Sequence, residues 1–264
     1  MLFSKFVVLG CFIVAFSSCS TLVKVPVREV TFDQAKTSWE NVLGHYVDKD
    51  GWVDFEGLKK NPEDLNNYVA FVAANDPDKN TNLFKTSQDR LAFYINSYNA
   101  LSMYNVLDSN IPYTNAGLRK VNFFMLKKIP IGQHVMSLKT YEDKTIRTLA
   151  EPRIHFVLNC MAMSCPFLPQ KAFAGATLEQ ELEASTKFFF SEKRNYYLDH
   201  QNKTAYVTEI LNFFPKDFLV KAPSVVDFIN IYAPEKIPAG YQLKFIPYNW
   251  TIINQARKSE LLGQ

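Results

Sequence analysis

No run of like charges, no low-complexity stretch and no periodic repeat occurs in the 264 residues. Twenty-nine Lys and Arg are interspersed with 26 Asp and Glu, leaving a net charge of +3. A basic stripe for nucleic acid is therefore absent, and no nucleic-acid partner is expected. Glycine is scarce, nine against thirteen prolines, which excludes a fibrous or mainly disordered chain. There is no nucleotide fingerprint, phosphate loop, GxSxG elbow, HExxH helix or CxxC pair. The Asp48–Gly51 turn lacks the glycine position and the late Glu of a calcium loop. Four histidines, His45, His134, His155 and His200, are widely spread. One of them with two cysteines begins a zinc site but finds no evident fourth ligand, so no metal or cofactor is expected. What is plentiful is aromatic. Twenty-two Phe and 13 Tyr within a 47% hydrophobic chain imply a heavily packed interior.

The first residues read as an address. Lys5 precedes an apolar run, Phe6–Phe16, which is short of the roughly 20 residues that span a bilayer. Ser17-Ser18-Cys19 follows, a small-small-Cys ending similar to a bacterial lipobox. Residues 1–18 are thus expected to be a signal peptide, with Cys19 lipidated and residues 19–30 a tether. More than one acyl chain on Cys19 makes a stable membrane anchor. Ser20, rather than Asp, after the cysteine implies an outer-membrane address facing the periplasm.

Further along, helical and extended signals alternate without a βαβ rhythm, so the fold class is α+β. Residues 31–255 read as a single domain, helices around short mixed strands and hairpins, with a polar tail at 256–264. Thr31–Gln34 and Thr177–Gln180 are capping-box patterns, the second opening a helix to about Lys193. Trp52–Phe55 alternates like a short strand. Asn61-Pro62 opens a helix to Ala74, and Ser87 one over Gln88–Leu107. Ile129–Val135 is a hairpin around Gly132, and Ser137 caps a helix carrying Glu142. Arg153–Asn159, β-branched and aromatic after Pro152, predicts a strand, followed by a loop Cys160–Pro169. Tyr196–Leu198 with Ala205–Val207 forms a hairpin, Ser224 starts a helix, and Tyr241–Pro247 is a late strand.

The densest chemistry lies in Arg153-Ile154-His155-Phe156-Val157-Leu158-Asn159-Cys160-Met161-Ala162-Met163-Ser164-Cys165-Pro166. Together with Phe93–Leu101, Ser137-Leu138, Glu142, Arg147, Tyr248–Asn254 and the Asp50–Phe55 turn, it resembles the domain-of-unknown-function 547 family over roughly residues 40–255. Two positions depart from that family's pattern: Met161 stands where Gly is common, and Asn249 where Asp is common. Plant members often lack the second cysteine. The family's activity is unestablished, so the resemblance implies membership and little chemistry.

From the residues themselves two function classes stand. In the first the chain is an envelope binding or scaffolding lipoprotein, with Asn96, Asn99, Glu142, Arg147 and His155 forming a buried polar network that ties helix to strand. In the second it is a thiol-dependent hydrolase or transferase on an envelope peptide or amide. Cys165 or Cys160 would be the nucleophile, His155 its base, and Asn99, Asn96 or Glu142 the orienting partner. In a strand His155 and Asn159 would share a face. Against a free thiol stands a Cys160–Cys165 disulfide, closing a loop of about six residues and adding ~2 kcal/mol. Export to an oxidising compartment favours that bond. Glu142 and Arg147, five apart, do not face each other on an α-helix, so Glu142 is expected inward with a partner from another element.

Overall fold

The computed structural model describes residues 20–263. The expected leader, Cys19 and Gln264 lie outside the described residues. Thr21–Leu22 (β1) pairs parallel with Lys127–Ile131 (β2), which turns at Gly132, φ +56°, into antiparallel His134–Met136 (β3). The segment read as a tether is therefore docked at its start, and Val23 is buried.

Thr31 closes its capping box with Gln34, the Gln34 N–H donating to Thr31 Oγ1 at 3.3 Å and the Thr31 N–H to Gln34 Oε1 at 2.9 Å. It opens α1, Phe32–Tyr46. The Asp48–Gly51 turn puts Gly51 at φ +80°, a backbone state that glycine adopts without steric cost. Beyond it only Val53 bridges to a neighbour, and Asp54 caps α2, Phe55–Lys60. The strand expected there is cut short by that cap. Then α3, Glu63–Ala74, packs its buried face on Trp39, Val42 and Leu43 of α1.

The axis of the molecule is α4, Ser87–Asp108, buried on every side from Leu91 to Met103. Such a helix must place its polar groups against backbone left unpaired elsewhere. Asn96 bonds Phe173, Asn99 bonds Val157 and Asn159, and Asn105 bonds the Phe123 carbonyl. Three irregular segments are thus pinned to one helix. Its N-terminus carries a box absent from the sequence reading, Thr86 with Asp89, both bonds 3.0 Å. Thr86→Ala should cost about 1 kcal/mol of unfolding free energy in urea; an unchanged midpoint would mean the cap contributes nothing.

Two short helices run into π-helical turns. Leu118–Val121 (α5) continues into the turn Asn122–Leu126, and Leu138–Tyr141 (α6), capped by Ser137, into the turn Glu142–Ile146. Next comes the clearest correction. Residues 152–156 form a 3₁₀ helix, not a strand. Pro152 presets the first helical φ, and the Glu151 carboxylate accepts the Arg153 N–H at 3.0 Å. Among the described residues no strand runs beside it for its β-branched residues to pair with.

The remaining elements are α7 (Leu178–Ser191), the hairpin β4 (Tyr196–Asp199) and β5 (Thr204–Thr208), α8 (Ile210–Phe213), α9 (Pro215–Phe218), α10 (Val225–Tyr232) and β6 (Gln242–Ile246). Of these, α8 and α9 are additions to the sequence reading, and the others lie close to where it places them. β6 joins β5 in parallel. The Thr177 box does not form: its hydroxyl turns to the Ala174 carbonyl, while Glu181 accepts the Ala174 N–H. The expected polar tail winds into a 3₁₀ turn and α11, Lys258–Leu262. Two hydrophobic clusters result, one around α1, α3 and α4 and a phenylalanine-rich one around α7 to α10. The 3₁₀ turn bridges them, with Phe156 in the second and Val157 in the first.

Candidate functional site

After the 3₁₀ turn the chain folds into a tight loop. Asn159 closes it, its Nδ2 donating to the Pro166 carbonyl at 2.6 Å and its Oδ1 accepting the Met161 N–H at 2.7 Å. Met161 sits at φ +65°, the left-handed region that favours glycine. That is the physical content of the departure noted at this position. The segment 249–254 runs alongside, with Met163 N–H to the Thr251 carbonyl at 2.8 Å and Ile253 N–H to the Met161 carbonyl at 3.0 Å. Asn249 Oδ1 accepts the Thr251 N–H at 3.0 Å, a bond an aspartate would make equally. Val53 in turn bridges Asn254. Segments far apart in sequence, 50–55, 159–166 and 248–254, are neighbours in space.

Within this loop Cys160 and Cys165 are free thiols with their sulfurs 2.9 Å apart. The disulfide expected from their spacing is not formed. Instead Cys165 Sγ is ringed by donors: the Cys160 N–H at 3.1 Å, the Ala162 N–H at 3.4 Å, the Tyr248 hydroxyl at 3.1 Å and the Cys160 thiol. Burial alone would raise the Cys165 pKa, but these donors together hold it below the ordinary thiol value. Cys160, which gives its proton toward Cys165 and is itself buried, is pushed well above. Of the two thiols, Cys165 is therefore the one that gives up its proton more readily.

Cys160 also lines a cavity of about 80 Å³ together with Tyr98, Glu142, His155 and Tyr248, walled by Phe124, Phe213, Phe214 and Trp250. Glu142 receives one long hydrogen bond, from the Tyr98 hydroxyl at 3.3 Å. Burial in this apolar surround, only partly offset by Lys139, raises its carboxyl to about 7. Glu142 thus lies inward, as expected, with a partner on α4.

His155 is placed differently from its sequence reading. Its Nε2 lies 2.8 Å from Asp217 Oδ2, and its ring stacks on Phe214 at 4.3 Å. Burial lowers its pKa despite the carboxylate. Burial would raise Asp217, but Arg147 through Nε at 2.6 Å and Nη2 at 2.8 Å, and His155, hold it far below the usual carboxylate range. An ionised Asp217 only accepts, so the neutral imidazole carries its proton on Nε2. Among the described residues no hydrogen bond joins His155 to either thiol, so the proposed imidazole–thiol dyad is not assembled. Nor is Asn99 its orienting partner: both ends of that carboxamide are taken by backbone, at 3.1 Å and 2.7 Å. Asn96 is occupied likewise by Trp39 and Phe173. Arg147 pairs with Asp217 and Asp143, not Glu142.

Asp217, Tyr98 and Tyr248 escaped the sequence reading. Asp217 had one legible signal, a lone acid among Phe213, Phe214 and Phe218 on a proline-started turn. Tyr98 and Tyr248 lie in the segments Phe93–Leu101 and Tyr248–Asn254 that carry the resemblance, but nothing in the sequence marked either as facing a site.

Residues 83–190 match the family described as "Protein of unknown function, DUF547". The DUF547 span contains Asn96, Asn99, Glu142, Arg147, His155, Cys160 and Cys165 and leaves out Asp217 and Tyr248. No curated protein and no solved structure matches the chain. Among the described residues no group of three His, Cys, Asp or Glu side chains is placed to hold a metal ion, and no helix is long and apolar enough to cross a membrane.

Proposed function

We propose that this is a membrane-anchored envelope protein carrying a thiol-dependent hydrolase or transferase site for a small acyl group. The observation that carries the reading is the convergence of Cys160, Glu142 and His155 on one cavity, with the Cys165 sulfur directly behind Cys160. Perturbed ionisable groups gathered in an apolar pocket mark it as a candidate site. The anchor rests on Phe6–Phe16 followed by Ser17-Ser18-Cys19.

In this reading the Cys160 proton passes to Cys165 as Cys160 Sγ attacks the acyl carbon. The leaving amine or alcohol takes the proton of neutral Glu142, and a thioester remains on Cys160. Water or an acceptor then attacks the thioester and returns a proton to the Glu142 carboxylate. The C–S bond breaks, and Cys165 restores the proton to Cys160. A carboxyl near 7 suits both halves of such a cycle at neutral pH. His155, its Nε2–H fixed on Asp217, shapes the wall and keeps it uncharged.

The test is acylation by small acyl esters and thioesters, read by fragment mass spectra of the 154–171 peptide. Wild-type protein should carry the acyl group on Cys160. Cys165→Ser should slow its formation on the order of a hundredfold, and Cys160→Ser should abolish it. No adduct on native protein, or one indifferent to Cys160→Ser, overturns the proposal. The complete pairing of Asn96, Asn99 and Arg147 favours the second reading, a binding or scaffolding module, which such a result would restore.

A further inference from the structure

The outer face of the β1–β3 sheet is apolar where it meets solvent. Register puts Leu22 opposite Lys128 and Val135 opposite Pro130, on the side away from buried Ile129 and Ile131. Leu22 and Val135 are each 58% exposed. The strand is fed by α5 and its π turn, where Leu118 is 89%, Met125 52% and Val121 41% exposed. Val27, beyond β1, is fully exposed as well. The stretches 20–28 and 117–136, joined through β1 and β2, contain no Asp or Glu. Of their six cations, Arg28 pairs with Glu63 and Lys127 with Asp108, while Lys24, Arg119, Lys120 and Lys128 pair with no acid among the described residues. Exposed aliphatic side chains beside unpaired cations, with no acid between them, match a surface of anionic lipid headgroups over acyl chains. Cys19, the expected lipidation site, lies two residues before Thr21, so an anchor there would hold this face against the bilayer.

We infer that the outer face of the β1–β3 sheet, with the adjoining α5 turn, rests on the surface of an anionic lipid bilayer. The inference relies on the membrane-anchor part of the function proposed above and is independent of the thiol chemistry. The acyl-transfer site then faces a fixed direction relative to the membrane.

The experiment uses the full chain with vesicles of phosphatidylethanolamine and phosphatidylglycerol containing a photoactivatable diazirine phosphatidylglycerol. Flotation reads attachment, and peptide mapping of the photo-adducts reads orientation. Adducts should concentrate several-fold on residues 20–28 and 117–136 over 225–232, where Ile231 is comparably exposed. Leu118→Glu with Val135→Glu, two solvent-facing changes, should remove that enrichment while flotation persists. Flotation with adducts spread evenly overturns the orientation and leaves the anchor standing. Failure to float overturns both. Undiminished enrichment in the double variant overturns the assignment of this face.

Discussion

Glu142→Gln is expected to stabilise the protein by about 3 kcal/mol at pH 8 relative to its effect at pH 4. The carboxyl titrates near 7 in the fold against 4.5 in the unfolded chain, because burial disfavours its charge. The folded state therefore binds the extra proton between those values. Wild-type stability falls as pH rises from 4.5 through 7, at about 1.4 kcal/mol per unit, and is flat above. Glutamine keeps the neutral shape and an oxygen for Tyr98 but cannot ionise, so the variant loses this slope. His155, whose depressed pKa lowers stability as pH drops below 6.5, acts on both proteins and cancels. Urea unfolding across pH 4–8 measures the difference. Parallel curves would place Glu142 in contact with water and remove it from the acid–base role. The same substitution should suppress acylation of Cys160, so the expected gain in stability accompanies a loss of chemistry, a frequent relation at active sites.

A larger effect is expected from Phe156→Ala. Its ring is 1% exposed and lies 4.9, 5.1, 5.9 and 6.1 Å from Phe189, Phe190, Phe218 and Phe228. Truncation leaves a void that four rigid rings cannot close, which costs about 3–5 kcal/mol. Urea unfolding should show a much lower midpoint at an unchanged slope. A loss below about 1.5 kcal/mol would mean that the cluster refills the space, contrary to its packing. Because Phe218 adjoins Asp217, the truncation should also loosen the carboxylate that holds His155.

Phe156 marks where the sequence stopped being legible. Local signals translated directly where they were complete in themselves. Thr31 with Gln34, Gly132 between β2 and β3, and Ser224 before α10 each settle one end of an element through bonds made within a few residues. Arg153–Asn159 was misread because its β-branched composition describes a half-buried surface rather than a strand as such. Whether it extends depends on a partner strand, and none lies there among the described residues. The candidate residues were found where polarity interrupted an apolar helix, as at Asn96, Asn99 and Glu142. Their roles were not, because each role is set by a partner far along the chain. Asp217 lies 62 residues from His155, and Tyr248 83 from Cys165. The motif around His155 and Cys165 was visible as a cluster, yet the structure separates it into an ion-paired imidazole and a donor-ringed thiol.

The π turns at 122–126 and 142–146 have a consequence for how this protein tolerates change in length. A π turn is an α-helix holding one surplus residue, and removing that residue restores the regular helix. Every side chain before the deletion then swings by about 100° and slides about 1.5 Å relative to those after it. Phe124 and Glu142, each carried by one of these turns and each lining the cavity, owe their aim to the surplus residue rather than to their neighbours' identities. Substitutions in these turns away from Phe124 and Glu142 leave the aim of those two side chains in place, whereas single deletions turn the cavity's wall or its carboxyl away. Length, more than composition, is what these ten positions encode.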